Sequence, residues 1–241
     1  MQRPRIGTSG WHYRHWRGVY YPRELASSRW LGFYVRDFDC VEVNNSFYRF
    51  PDAATVADWC DRVSGNFRFA LKASQFITHR KKLHDCREPL ERFLGAAREF
   101  GERLGPILFQ LPPRWRVNAD RLRQFLALLP RDLRYSMEFR DPSWHTPQVY
   151  DLLAQRDVAF CQFHLDGFLS PPTVTTDLVY IRLHGPGAAY CGRYSDRELA
   201  DWAARIRHWR GEGREVWLFF DNDEAGFAVG NARRILGMLG P

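Results

Sequence analysis

The sequence predicts an α/β fold, a single TIM (β/α)8 barrel of parallel strands, on three observations. Short apolar runs, many of them β-branched or aromatic, alternate with helix-length amphipathic segments from end to end. The chain has 241 residues, close to the roughly 250 of a typical barrel of this kind. No GxGxxG follows an early strand, which makes a doubly wound open sheet the runner-up. No internal repeat, low-complexity tract or linker divides the chain, so residues 1–241 read as one domain.

The first strand is expected at 6–9, followed by a polar and aromatic loop over 11–22 and a helix over 28–37. The stretch CVEVNNSFYRF (40–50) carries the second strand, with Val41 and Val43 on one face and Glu42 and Asn44 on the other. An unpaired Glu in an apolar strand costs on the order of several kcal/mol, so Glu42 is either satisfied structurally or used. A helix over 53–63, a third strand over 67–72 and a basic loop come next. A long helix over 88–104 follows, with Phe93, Leu94, Ala97, Phe100 and Leu104 at helical spacing.

The fourth strand, 107–111, is stopped by Pro112 and Pro113. A helix at 119–129, a strand at 135–139, a helix at 147–155 and a strand at 158–163 continue the alternation. The helix due after strand six is missing or replaced by a Pro-rich loop. The seventh strand is 178–183. Ser195 then caps a helix reaching Arg210, with Glu198 completing a capping box. The eighth strand at 216–220 and a helix at 225–239 close the chain.

Composition sets the function classes. The formal charge is +7, from 35 basic against 28 acidic residues, which favours anionic partners such as phosphate esters, acidic sugars or nucleic acid. Only three of the basic residues are lysines, Lys72, Lys81 and Lys82. The five cysteines form no CxxC pair and no metal-ligand spacing, the pattern of reduced thiols rather than a disulfide framework. The N-terminus has no apolar signal region, and no run of about eighteen apolar residues could span a membrane. The chain reads as soluble and cytoplasmic, with no membrane partner.

Barrel active sites sit at the carboxyl ends of the strands, and several of those ends are polar here. Strand two supplies Glu42 and Asn44, strand three Lys72, strand four Gln110, strand five Glu138 and Arg140, and strand seven Arg182 and His184. Strand eight ends in Asp221, Asn222 and Asp223. One such residue is as often a buried salt bridge as a functional group, and Lys72 in particular could simply pair with Glu42 or Glu138. The loops add Trp11, Tyr13 and Trp16, then Phe47 and Tyr48, then Trp144, and the basic run Thr78, His79, Arg80, Lys81, Lys82. Each aromatic alone is explained by packing, but as a set they could stack on a sugar or a base.

Taken together, GTSGWHYRHWRGVYYP from Gly7, VEVNNSFYRFP from Val41, FRFALKASQFITH from Phe67, LGPILFQLPP from Leu104, MEFRDPSW from Met137, YIRLHG from Tyr180, YCGRYS from Tyr190 and FFDNDEAGFAVGNA from Phe219 resemble a known family. It is the domain of unknown function 72 family, also called YecE-like. The resemblance implies a TIM barrel but brings no reaction. It implies that Glu42, Asn44, Lys72, Gln110, Glu138, Arg140, Arg182, His184 and Asn222 gather at one mouth. Asp221 departs from similar proteins, where an asparagine is common, and His164 and Asp166 match no motif of the family.

Three functions follow. The first is an enzyme, a hydrolase or a lyase or isomerase, acting on a small polar or anionic, sugar- or phosphate-like substrate. Glu42, Lys72 and Glu138 are its catalytic set. Asn44, Gln110, Arg140, Arg182, His184, Asn222, Trp11, Tyr13, Tyr48 and His79 bind substrate. A glycosidic hydrolysis by two carboxylates and a Schiff base on Lys72 are two versions of it. The second is a nucleic-acid-binding or metal-dependent nuclease-like barrel. No HExxH or paired-His spacing is present, so a metal-free site with no cofactor is preferred and a divalent metal stays open. The third is a non-catalytic metabolite-binding protein. Nothing in the sequence sets the oligomeric state.

Overall fold

Alternation along the strands sorts the buried apolar residues into two separate regions. The computed structural model describes residues 3–240. Within them Cys40, Ala70, Leu108, Cys161, Tyr180, Trp217 and Phe219 form one cluster, inside the ring of strands. Val41, Phe69, Leu71, Ile107, Phe109, Ile181 and Leu183, their sequence neighbours, join the larger cluster beneath the helices.

The strands are β1 (Arg5–Thr8), β2 (Cys40–Val43), β3 (Arg68–Lys72), β4 (Leu104–Gln110), β5 (Tyr135–Glu138), β6 (Val158–Leu165), β7 (Phe168–Leu169), β8 (Leu178–Leu183) and β9 (Glu215–Phe220). All but β7 run parallel, in the order β1-β9-β8-β6-β5-β4-β3-β2. The helices are α1 (Trp30–Tyr34), α2 (Asn45–Tyr48), α3 (Ala53–Asp61), α4 (Arg87–Ala97), α5 (Ala119–Leu126), α6 (Pro147–Gln155), α7 (Asp196–Gly211) and α8 (Phe227–Leu239). This is the single-domain, nearly closed barrel the alternation predicts. No described helix is long and apolar enough to cross a membrane.

Closure is thinnest between β1 and β2. A single bridge joins Ser9 to Glu42, and the Gly10 N–H donates to the Glu42 carbonyl at 2.8 Å. Below it a side chain replaces the missing rungs. The Tyr34 hydroxyl of α1 accepts from the Thr8 N–H at 3.0 Å and donates to the Cys40 carbonyl at 3.2 Å. A Cβ on Gly7 would lie 2.4 Å from that same carbonyl oxygen, so only glycine permits this approach. The interior is filled unevenly. β8 and β9 supply Tyr180, Arg182, Trp217 and Phe219, and the facing strands answer with Cys40, Ala70, Ser136 and Ala159. A Cβ on Gly105 would meet the Trp217 ring at 2.7 Å.

Several boundaries differ from the sequence expectation. The helix expected over 28–37 is a 3-10 turn, Ser27–Arg29, leading into the five-residue α1. Only Cys40–Val43 of the stretch 40–50 is strand, because Asn45–Tyr48 coils into α2. The long helix stops at Ala97, and a 3-10 segment with Gly101 at φ 53° delivers the chain to β4, which begins at Leu104. The basic loop contains a π-helical turn, Phe76–Arg80, and the last helix begins at Phe227, after Gly226 in the left-handed region. The missing helix after β6 is real. The short β7 pairs back on β6, and Thr175 ties the following segment to β6, accepting from the Phe160 N–H at 2.9 Å and donating to the Val158 carbonyl at 2.7 Å. The capping box of Ser195 and Glu198 forms as expected.

Replacing Tyr34 by Phe leaves the Thr8 N–H and the Cys40 carbonyl facing each other across the seam without their bridge. Tyr34→Phe is expected to lower unfolding free energy by about 1–3 kcal/mol in urea titrations, and an unchanged midpoint would show that the seam does not depend on that hydroxyl.

Candidate functional site

The polar strand ends converge on one guanidinium. Arg182 points inward from β8 and is fully buried. Its Nε lies 3.1 Å from both oxygens of Glu42 and its Nη2 2.8 Å from Glu42 Oε1. Nη2 also donates to Asp221 Oδ2 at 2.9 Å, and Nη1 to Glu138 Oε2 at 2.9 Å. Nη1 stands 3.3 Å from His184 Nε2 as well, so each of the five guanidinium protons has an acceptor. Glu42 is equally committed, accepting from Ser9 Oγ at 2.7 Å and Tyr180 Oη at 2.6 Å. Removing a charge from such a set strands the others out of water.

His184 fixes its own protonation by position. Nε2 faces Arg182 and also Arg140 Nη2, at 3.4 Å, and can only accept there. The proton therefore sits on Nδ1, 3.0 Å from Asp221 Oδ2, a close contact not aligned as a hydrogen bond. Burial, then Arg182, lowers the imidazole's pKa and keeps the ring neutral. Burial would raise the Glu138 carboxyl, but Arg140, which donates from Nε at 2.5 Å, and Arg182 outweigh it and hold it well below the usual range. Burial likewise opposes, and Arg182 and His184 overcome, for Asp221. These carboxylates stay ionised at neutral pH.

Lys72 stands apart from this network. Its Nζ makes no hydrogen bond or ion pair among the described residues, so the expected pairing with Glu42 or Glu138 is not formed; Arg182 has taken both acids. Instead Nζ lies 4.4 Å over the Phe47 ring. Burial and then Arg182 bring its pKa down to about 8, against the pull of Glu138, Asp221 and Glu42. His79 packs edge-on against the same Phe47 ring, 5.0 Å between centroids, and accepts or donates at Nδ1 with Thr78 at 2.9 Å. Burial, Lys72 and Arg140 push His79 down to about 4. Tyr190, at φ 64°, takes the remaining Arg140 Nη1 on its hydroxyl at 3.2 Å and sets its ring edge-on to His184.

The other expected site residues divide. The Asn44 amide donates to the Ser9 carbonyl at 3.4 Å, and its Oδ1 is buried without a partner. Tyr13 donates to that carbonyl too, and burial, Asp221, Asp223 and Glu42 raise its phenol pKa. Gln110, almost fully buried, donates to the Leu111 carbonyl at 2.7 Å. Asn222 is inside the fold, tying Gly192 at 2.8 Å and Asn231 at 3.0 Å. Trp11 packs with Trp59 and Phe69 beneath the helices, not in the mouth. Tyr48 is 74% exposed on the rim. Ser9, Tyr180 and Tyr190 complete the site without having been singled out for it, and Phe47, one of the loop aromatics read as a possible wall, lies under Lys72. Tyr180 was readable, since it lies two residues before Arg182 on the same strand face.

Large exposed apolar side chains, Val19, Tyr48, Phe76, Val117, Phe168, Leu169 and Tyr190, all lie on segments that leave strand carboxyl ends. No group of three or more His, Cys, Asp or Glu side chains among the described residues is arranged to hold a metal ion; the three carboxylates converge on Arg182 instead.

Arg182→Met is expected to cost about 3–5 kcal/mol at pH 7. With the guanidinium gone, Glu138 and Asp221 regain ordinary or higher pKa values. Wild-type stability from Glu138 and Asp221 is complete above the unfolded carboxyl range, roughly pH 4, and is lost as pH falls through the depressed folded values. The deficit of the variant therefore shrinks between pH 5 and 3, and equal deficits at both ends, measured by urea unfolding, would contradict an ionic clamp. Lys72→Met is expected to stabilise by on the order of 1 kcal/mol at pH 7. That gain should fade as pH rises from about 8 towards the unfolded lysine value of about 10.4, because the wild-type folded state sheds its proton first.

The pattern of the family described as "Protein of unknown function DUF72" matches residues 5–241. The UPF0759 protein YunF of Bacillus subtilis is 26% identical over 269 aligned positions, covering 97% of this chain and 94% of YunF. The UPF0759 protein YecE of Escherichia coli K12 is 31% identical over 112 positions, 46% of this chain and 41% of YecE. The crystal structure of a DUF72 family protein from Thermotoga maritima superposes with a TM-score of 0.88 at 28% identity and covers 99% of both chains. One from Enterococcus faecalis, at 22% identity, shares the fold with a TM-score of 0.84 over 98% of this chain and 95% of that one. With the family pattern matched over nearly its whole length, this chain belongs to the DUF72 family of proteins of unknown function.

Proposed function

We propose that the protein is an enzyme acting on a small, hydroxylated anionic substrate of the sugar-acid or sugar-phosphate kind, with Lys72 as its nucleophile or base. The observation that carries this reading is the isolation of Lys72 Nζ, a half-buried amine with no hydrogen bond or ion pair among the described residues, beside a fully paired ion network. A lysine with a pKa of about 8 is neutral in roughly a tenth of molecules at pH 7, enough to attack a carbonyl or take an acidic C–H proton. The carboxylates serve it from a distance. Held by Arg182, they set three acids against Arg182, Arg140 and Lys72 around the mouth.

Arg140 offers two Nη donors whose present partners, Tyr190 Oη at 3.2 Å and His184 Nε2 at 3.4 Å, are long contacts that an anionic oxygen would outcompete. The unpartnered Asn44 Oδ1 would accept from a substrate hydroxyl. Glycosidic hydrolysis fits less well, since it requires one protonated carboxyl and Glu138 is held ionised. Glu42 and Glu138 are therefore positioning groups in this reading, where the sequence alone suggested acid or base.

The small lysine complement makes the test clean. Borohydride reduction in the presence of small 2-oxo acids, followed by peptide mapping, is expected to place the adduct on Lys72 with a yield rising through pH 8, and Lys72→Arg is expected to abolish it. Adducts confined to Lys81 or Lys82, or none with any carbonyl probe alongside undiminished catalysis in Lys72→Arg, would defeat the proposal.

A further inference from the structure

A cavity of about 530 Å³ opens at the opposite end of the barrel, under the amino ends of the strands, with Arg5, Arg68, Arg98 and Arg134 among its lining residues. Most of the acids nearby are already occupied. Asp132 pairs with Arg98 at 2.6 Å, and Glu215 accepts from Trp217 Nε1 at 2.7 Å and lies 4.0 Å from Arg134. Arg5 reaches Asp39 at 3.2 Å. Arg68 makes no ion pair among the described residues; its Nη1 donates to the Gly65 and Phe67 carbonyls at 2.7 and 3.0 Å.

Sealing the barrel floor accounts for part of this. Arg5 and Arg68 each spend Nη1 on strand-start carbonyls, those of Asp39 and Asn66 for Arg5. Their Nε and Nη2 groups make no hydrogen bond among the described residues. Arg134 Nε is buried with no hydrogen-bond partner, and so is Arg103 Nε. Four guanidiniums thus line one cavity, one of them, Arg134, with a buried Nε that has no hydrogen-bond partner, and such a convergence of forked donors suits an anionic oxygen ligand. Arg68 also feels it electrostatically: burial, then the neighbouring Arg5 charge, and Arg103 in addition, depress its pKa, which a bound anion would relieve.

We propose that this floor cavity binds a small phosphorylated metabolite, its phosphate held by the free guanidinium edges of Arg5 and Arg68 with Arg134 beside them. A phosphate presents several strong acceptors to forked donors. The cavity has the volume of ordinary small-molecule sites and is far larger than one phosphate needs. The site is separate from the mouth and independent of the chemistry proposed there.

Thermal unfolding of the full chain in glycerol 3-phosphate, in inorganic phosphate and in sodium chloride at matched ionic strength tests this. Glycerol 3-phosphate is expected to raise Tm by about 2–4 °C over chloride, and by more than inorganic phosphate does. Arg68→Gln should remove the shift, Arg98→Gln should reduce it, and Lys72→Gln at the other mouth should retain it. No shift in the wild type, an undiminished shift in Arg68→Gln, or loss of the shift in Lys72→Gln would overturn the floor site. Equal shifts from both phosphates would overturn the metabolite in favour of free phosphate. If Arg68→Gln does not fold, Arg98→Gln, which changes a partly exposed side chain paired only with Asp132, carries the same decision.

Discussion

The pairing of Arg182 with Glu42 holds both the barrel and its mouth. Glu42 sits at the seam where β1 and β2 meet through one bridge, so its backbone closes the ring while its carboxylate receives the guanidinium arriving from β8. Ser9, the other half of that bridge, donates to the same carboxylate. From Arg182 the network extends to Glu138 on β5 and to Asp221 at the end of β9, so that β2 and β5 are each tied to β8, a strand neither pairs with, while Asp221 reinforces the β8–β9 ladder. An ion pair sealed from water in this way is a poor source of net stability, because desolvation offsets most of the attraction. Its value is specificity: each partner makes any other arrangement of the mouth costly.

That constraint shapes the chemistry available. Glu138 and Asp221, clamped by arginine, lose the capacity to donate a proton near neutral pH, and His184, facing two guanidiniums, loses the capacity to gain one. What remains adjustable is Lys72. It is desolvated beside Phe47 and near a cation, with its acids already taken. Placing an uncompensated amine there costs stability, and such local costs cluster at functional positions. Tyr190 reinforces the pattern: its left-handed backbone is unfavourable for a tyrosine, yet it sets a hydroxyl on Arg140 and a ring edge on His184.

Much of the site was legible because a strand repeats every two residues. Once Ala70 and Leu108 were placed inside, Lys72 and Gln110 had to follow, and the same step carried Glu42, Glu138 and Arg182 inward. Alternation fails where strands end. Trp11 looked like a mouth aromatic but swings under the helices onto Trp59 and Phe69, and Asn222 turns into the fold to hold Gly192 and Asn231. Loop geometry depends on contacts from distant segments, and periodicity does not describe it.

By itself the sequence determined the barrel, the inward face of each strand and the charged character of one mouth, because hydrophobic period and breaker residues are local properties. Only the tertiary structure decided who pairs with whom. Sequence could offer Lys72 as the partner of Glu42 as readily as Arg182. The outcome turned on a long planar guanidinium on β8 opposite small side chains, which lets Arg182 cross the barrel axis and fill five hydrogen bonds at once, leaving the shorter-ranged, single-point amine of Lys72 outside the clamp.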